Sequence, residues 1–466
     1  MLSIISLSLF GILNLFLGFL KSRLILLPAT LVFLFVALAL LTQEWNQQAL
    51  YFSDMLRVNN LFVSFSVIVL LTTVLVVGIS RNFGDDIEYT HPAEYYSIIL
   101  FSVTGALMMI GFENLIMLFI GVEILSVAMY VLTGTDKRNL RSNEAALKYF
   151  LMGSFATGIL LFGLAMIYGA TGSFKLGAIA TYVQTATQYR SVSPLLYIGL
   201  LLLFFGMLFK VSVAPFHFWT PDVYEGAPTI FTAYMSTVVK TAGFAALYKL
   251  ASIAFASSYG FWAQTLAVLA VLTLLIGNIT AAYQISFKRM MAYSSISHAG
   301  YLLLAVVAKV PSSQSAILFY SLAYSLATIS AFGVLIAVSE RKPYEGNPDE
   351  RYDAFNGLAK TNPLLAFIMT VSMLSLAGIP LTAGFWGKFF IFSAAVQANL
   401  TALLVIAVLM SCVGIYYYFR VIIAMYLKPS DNEGVIVSSG FKLTLLFTTV
   451  LTLLFGLFPD LVNRFF

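Results

Sequence analysis

Residues 195–219 read LLYIGLLLLFFGMLFKVSVAPFHFW. Apart from a few small or polar residues the stretch is apolar and long enough to cross a hydrocarbon core of about 30 Å as a helix. Yet it carries Lys210, Pro215 and His217. Proline lacks an N–H and clashes with the carbonyl four residues back, here that of Val211. A helix over this stretch is therefore predicted to open just after Lys210. Carbonyls freed in such a break can hold water or a cation, as in the broken helices of transporters. The plainer alternative is a structural lysine that only hydrogen-bonds those carbonyls.

The rest of the chain has the same character. Of 466 residues, 60% are hydrophobic and 10% charged, against about 25% charged in a soluble domain. This composition predicts an all-α, polytopic membrane protein embedded in a lipid bilayer. The pI near 9.0 does not point to nucleic acid, because the basic residues sit in short loops, where they orient a membrane protein. Residues 4–20 lack a basic leader and a small-residue cleavage site and are read as a retained span. Cys412 is the only cysteine and the three histidines show no paired spacing. No metal site, no haem or iron–sulfur ligation and no redox chemistry is expected on this chain.

Apolar runs between polar breaks give about 14 spans, near residues 4–20, 24–42, 61–80, 95–110, 113–133, 145–169, 195–219, 228–254, 261–285, 290–308, 313–338, 363–395, 401–426 and 441–463. The twelfth is too long for one straight crossing and contains Gly378, Pro380, Gly384 and Gly387, so a second break is expected there. Loops after odd-numbered spans hold 14 basic residues. Those after even-numbered spans, with the C-terminus, hold 6, with Lys249, near the end of the eighth span, counted to the loop that follows it. The excess places both termini on the non-cytoplasmic side.

Five basic residues fall within spans: Lys148, Lys210, Lys240, Lys388 and Arg420. Glu123 lies mid-span in GVEILSVAMY, and Glu113 is nearer a boundary. A charge at the bilayer centre costs at least ~2.5–3.5 kcal/mol, so such residues mark pathways or proton relays by default. Lys388, in AGIPLTAGFWGKFFIFSA, is the counterpart of Lys210: their spans are five apart, and an odd offset reverses topology. Two inverted five-helix repeats, spans 4–8 and 9–13, are therefore expected, each with a broken helix, at Pro215 and at Pro380. The corresponding division is 1–90 as an N-terminal three-helix segment, 91–256 and 257–430 as the repeats, and 431–466 as a C-terminal helix. Lys240 lies mid-span with no proline nearby and needs a partner or water. Lys148 has Glu144 four residues before it, so a surface helix pair competes with a role in proton transfer. Glu123 has no local partner and is expected to find one on another helix. His217 either extends a proton path or hydrogen-bonds the opened backbone. His298, in YSSISHAGYLL, sits among small and hydroxylated neighbours that admit water. His91 falls in a loop with no role, and Arg420, beside tyrosines 416–418, is expected to snorkel.

KVSVAPFHFWTPDVYEGAPT, residues 210–229, resembles the signature of the antiporter-like proton-translocating subunits of respiratory complex I. Its PDVYEGAP half resembles the subunit N branch of that family. RSNEAALKYFLMGSFATGILLFGLAMIYGATGS from Arg141, GVEIL around Glu123, GIPLTAGFWGKF around Lys388 and the YEGNPDERYDAFNGLAKTNP loop are similar to the same branch. The resemblance runs from about residue 95 to 430, and the first three spans are generic. It departs from the usual pattern at Ala214, where the family has a larger apolar residue. The resemblance implies proton translocation with Glu123 and Lys148 as a modulating pair and Lys210 as the central gating lysine. Lys240 would be the next relay member, His298 would lie between two half-channels, and Lys388 would be the terminal group. It also implies NADH, FMN, iron–sulfur clusters and quinone on partner subunits, with sister antiporter-like and small membrane subunits as neighbours. The implied location is a bacterial plasma membrane. A subunit of a multi-subunit Na+/H+ antiporter shares the broken-helix lysines, although PDVYEGAP argues against it. A solute transporter and a purely structural membrane subunit fit the membrane charges less well.

Overall fold

The computed structural model describes residues 1–20, 22–80, 91–189, 191–339, 349–429 and 434–463. Lys21, Arg81, Arg190, Arg341, Lys342 and Arg464, counted above for orientation, lie outside them, as do residues 344–348 of the YEGNPD loop. In lipid every backbone polar group must be satisfied within the protein, which selects helices. In chain order these are α1 (Leu2–Leu17), α2 (Leu26–Thr42), α3 (Asn60–Gly78), α4 (Pro92–Gly111), α5 (Leu115–Thr133), α6 (Leu140–Thr171), α7 (Leu176–Gln188), α8 (Pro194–Lys210), α9 (Trp219–Gly226), α10 (Thr229–Tyr234) and α11 (Lys240–Lys249). There follow α12 (Tyr259–Ala282), α13 (Phe287–Ala308), α14 (Ser313–Ser339), α15 (Leu358–Thr361), α16 (Pro363–Ala377), α17 (Ala383–Gln397), α18 (Thr401–Leu427) and α19 (Ser439–Leu457). Eleven stretches of helix among the described residues are long and apolar enough to cross a membrane, and α1, α8 and α16 are shorter apolar helices. The expected all-α polytopic class is what forms. The only strands among the described residues are β1 (Ala49–Tyr51) and β2 (Leu56–Val58), an antiparallel hairpin pairing Ala49 with Val58 and Tyr51 with Leu56.

Both proline-marked breaks are present. Helix α8 stops at Lys210 and residues 211–218 leave the helix before α9. Helix α16 stops at Ala377, capped by Gly378 at φ +84°, and α17 begins at Ala383. A left-handed φ suits glycine, which has no Cβ to clash. Helices α10 and α11 are one run, Thr229–Ala254, with π-helical turns over Met235–Val239 and Leu250–Ala254. Helix α7 was not foreseen. Its Leu176, Ile179, Val183 and Ala186 are spaced for one helical face, and all four are buried.

The chain divides into two compact units. One comprises Met1–Val74, Asn82–Trp219 and Val238–Leu269, and the other comprises Leu75–Arg81, Thr220–Thr237 and Ala270–Phe466. In the first, α4 lies against α1 and α5, and α6 lies against α8. In the second, α14 lies against α16, α17 and α19. Bulky residues such as Phe155, Leu151 and Val131 are exposed, as suits faces turned to lipid tails. Lipid supplies no hydrophobic drive between helices, so close packing of small residues holds them together. Gly105 and Gly121 bring α4 and α5 together: a Cβ on Gly121 would stand 2.7 Å from the Met109 nitrogen and 2.9 Å from the Gly105 carbonyl. Gly121→Val is expected to force these helices apart and cost about 1–3 kcal/mol. The check is the thermal midpoint of the purified protein in detergent; an unchanged midpoint would show that this contact yields without cost.

Candidate functional site

In the first unit the break decides where Lys210 goes. With α8 ended, the carbonyl of Phe209 accepts from the Ser212 N–H at 3.1 Å and from the Trp219 indole at 3.1 Å. Trp219 in turn stacks on Tyr149 of α6, ring centres 4.5 Å apart. The Lys210 ammonium, buried, donates to Ser126 Oγ of α5 at 2.8 Å and lies 5.8 Å from the centre of the Tyr149 ring. Glu123 precedes Ser126 by one turn and is the carboxylate that acts through space on Lys210. One oxygen of Glu123, Oε1, is buried with no hydrogen-bond partner. Such an acceptor is a place for water or for a donor that moves.

His217 lies in the same break, buried and stacked on Phe218 at 4.8 Å. Its Nδ1 is buried with no hydrogen-bond partner. Lys240 is buried at the start of α11, directly after a π-helical turn; such turns are frequent at functional positions. Three residues on, Gly243 packs against Val211 of the break, with 2.4 Å between its would-be Cβ and Val211 Cγ1. Lys148 is 39% exposed and forms the anticipated i,i+4 ion pair with Glu144 at 2.7 Å.

In the second unit the freed carbonyl is used directly. Lys388, on α17, is buried and donates to the Ala377 carbonyl and to Ser411 Oγ, each at 2.8 Å. It stands 5.2 Å from the centre of the Tyr301 ring. The break is tight: a Cβ on Gly384 would fall 1.8 Å from the Ser375 carbonyl oxygen. Lys388 lines a cavity with His298, Tyr320, Tyr324 and Ser375, with room for about one water molecule. His298 is held at both nitrogens, by the Tyr320 hydroxyl at Nδ1 (2.6 Å) and the Tyr418 hydroxyl at Nε2 (3.0 Å). Tyr418 also shares a hydrogen bond with Ser294. A neutral imidazole has one donor and one acceptor nitrogen, so one tyrosine accepts and the other donates.

The structure therefore brings Lys210 to Ser126, one turn after Glu123, in one unit, and His298 and Lys388 to one cavity in the other. Sequence reasoning missed the hydroxyl partners Ser126, Ser411, Tyr320 and Tyr418. Arg420 reaches the end of α12, donating to the carbonyls of Ala282 (2.9 Å) and Gln284 (3.1 Å), with its guanidinium 4.4 Å from the centre of the Tyr352 ring. One expectation is corrected. Lys249 is not a loop residue: it is buried at the end of α11 and pairs with Glu113 at 3.2 Å.

Lysines buried beside broken membrane helices, next to hydroxyls and a histidine, define a polytopic ion-translocating class of membrane protein. The chain belongs to the NADH:quinone oxidoreductase/Mrp antiporter transmembrane family, whose sequence model matches residues 113–414. It is 44% identical over 424 residues to NADH-quinone oxidoreductase subunit N of Trichlorobacter lovleyi, covering 90% of this chain and 85% of the relative. With subunit N of Flavobacterium psychrophilum it shares 38% identity over 462 residues, 99% of each chain. Among solved structures, a chain of respiratory complex I from Thermus thermophilus matches with a TM-score of 0.85 and 35% identity, covering 99% of this chain and 98% of that one. A chain of the Mrp complex from Dietzia matches with a TM-score of 0.83 at 21% identity, covering 100% and 96%, a likeness of fold alone. The family resemblance read from residues 210–229 is borne out.

Tyr320→Phe and Tyr418→Phe each keep the ring and remove one hydrogen bond to His298. Each is expected to cost about 0.5–1.5 kcal/mol, read as a lower thermal midpoint, and the double variant to leave His298 with neither partner. If both single variants melt like the parent protein, the two hydroxyls do not hold the imidazole.

Proposed function

We propose that this chain is the subunit N-type proton-translocating membrane subunit of a respiratory NADH:quinone oxidoreductase. The observation that carries the reading is the pair of buried lysines, each set at a helix break, in a chain that matches subunit N relatives over nearly its full length. NADH, FMN, iron–sulfur clusters and quinone would reside on partner subunits, among them sister antiporter-like and small membrane subunits. When bound there, those groups supply the redox chemistry; the residues of this chain hold and move protons. Membership of the family makes it a multi-pass membrane protein, and the placement we propose is a bacterial inner membrane with both termini outside the cytoplasm.

The proposed roles follow the chemistry of each neighbourhood. Lys210 holds a proton beside Ser126, one turn from Glu123 on α5, and exchanges it with water admitted by the break at Pro215. Lys148 modulates Glu123, and His217 offers an open nitrogen along the same break. Lys240 is the next relay member. In the other unit His298 passes protons through the hydroxyls of Tyr320 and Tyr418, and Lys388 is the terminal group, steadied by the Ala377 carbonyl freed at Pro380. Spans 4–8 and 9–13 would be the two inverted repeats that carry these sets.

The test is to tag the chain in its native host, extract it in mild detergent and assay the purified material. NADH:quinone reductase activity accompanying a large assembly is expected. A large assembly that lacks NADH activity and exchanges sodium for protons would overturn the reading in favour of a multi-subunit antiporter. A chain that purifies alone would overturn it in favour of a self-contained transporter.

A further inference from the structure

One charged cluster in the first unit lies outside every role assigned above. Lys249, the last residue of α11, is buried, its side chain 4% exposed. It reaches Glu113 Oε2 at 3.2 Å, donates to the Phe112 carbonyl and stands 4.9 Å from the centre of the Phe112 ring. The other oxygen of the same carboxylate, Oε1, takes Arg57 of β2 at 3.1 Å. Glu113 is 14% exposed and Arg57 41%, so the three side chains form a ladder from the interior to the surface. The carboxylate is held in place through its backbone: the Glu113 N–H donates to the Met55 carbonyl at 2.8 Å, and its carbonyl accepts from the Leu176 N–H at 3.0 Å. The hairpin that supplies Arg57 is itself pinned by Asp54 to Lys175 at 3.1 Å.

The charge count is what sets this cluster apart from a simple ion pair. Two cations share one anion. If Lys249 loses its proton, Arg57 and Glu113 remain a neutral pair and no carboxylate is stranded. If Lys249 is protonated, the Phe112 carbonyl and ring hold the ammonium even when Glu113 leans toward Arg57. Burying a pair whose partner would be left uncompensated is costly; here the arginine removes that cost for one of the two protonation states. An arginine serves for this because it stays charged, whereas a buried lysine readily gives up its proton.

We propose that Lys249, with Glu113 and Arg57, is a proton-exchange station at the hairpin end of the first unit, through which protons pass between the interior and the aqueous surface. The inference rests on the proposed function and extends it. In the step, Lys249 Nζ passes its proton to Glu113 Oε2, and the carboxyl then gives it up to buffer in the aqueous phase, leaving a neutral amine and the Glu113 carboxylate restored on Arg57. A proton arriving from the interior restores the ammonium. Lys249 follows Lys240 by nine residues, about 14 Å along the helix axis and two and a half turns round it. The two amines are therefore separate stations, not touching neighbours.

The experiment compares Lys249→Arg, Lys249→Met and Lys210→Ala in the whole native assembly reconstituted into vesicles, measuring protons moved per NADH oxidised and the amount of assembly formed. Lys249→Arg keeps the charge and the pairing but cannot deprotonate. The expected result is normal assembly with proton yield lowered to the extent seen in Lys210→Ala. If Lys249→Arg pumps like the parent while Lys210→Ala does not, Lys249 is a structural ion-pair partner and the proposal is overturned. The same holds if Lys249→Met lowers only the amount of assembly and each assembled unit pumps normally. If Lys210→Ala also pumps like the parent, the broader proton-translocation reading fails with it.

Discussion

Lys388 donates to the carbonyl of Ala377, a group left without its helical partner where α16 ends and Gly378 turns the chain. Each group would be costly in lipid alone. An ammonium at membrane depth is expensive, and an unpaired carbonyl there costs several kcal/mol. Placed together they satisfy one another. The cation is then fixed at an irregular point of the backbone, which a membrane protein tolerates only inside protein or beside water. The neighbouring cavity, lined by His298, Tyr320 and Tyr324, has room for about one water molecule. The tightness at Gly384 and the left-handed turn at Gly378 follow from bringing α17 close enough for Lys388 to reach back.

The first unit meets the same problem with different parts. There the carbonyl of Phe209 accepts from the Ser212 N–H and the Trp219 indole, and Lys210 donates to the hydroxyl of Ser126. The lysine is thus held by a neutral hydroxyl and influenced at a distance by Glu123, whose Oε1 has no bond to break. A lysine so placed is less firmly tied than Lys388, which has both a carbonyl and a hydroxyl at 2.8 Å.

Much of this was legible in the chain itself. Pro215 and Pro380 announced the two breaks because a missing N–H and a ring clash act locally. The lysines stood out because a charge inside an apolar run has few explanations. The partners were not legible. Ser126 and Ser411 are ordinary residues in membrane helices, and only packing shows which hydroxyls face a cation. Tyr417 and Tyr418 are buried while Tyr416 is 60% exposed. Three tyrosines in a row give no sign in the sequence of which one faces inward, which hid Tyr418 as a partner of His298. Lys249 was misplaced for a related reason: a basic residue near a span end reads as solvated unless the carbonyl and carboxylate that hold it are seen. Helix α7 carried a detectable signal in the spacing of Leu176, Ile179, Val183 and Ala186, but its polar composition set it among the loops.

The measurement that bears most directly on the central claim is proton transfer by Lys388→Met in the whole assembly, reconstituted into sealed vesicles and driven by NADH. Methionine keeps the apolar stem and removes the ammonium from the Ala377 carbonyl. The account predicts that quinone reduction persists once the membrane is made leaky while protons moved per NADH fall. Proton yield equal to that of the parent assembly would contradict it, because the lysine at the break would then serve only to satisfy the backbone.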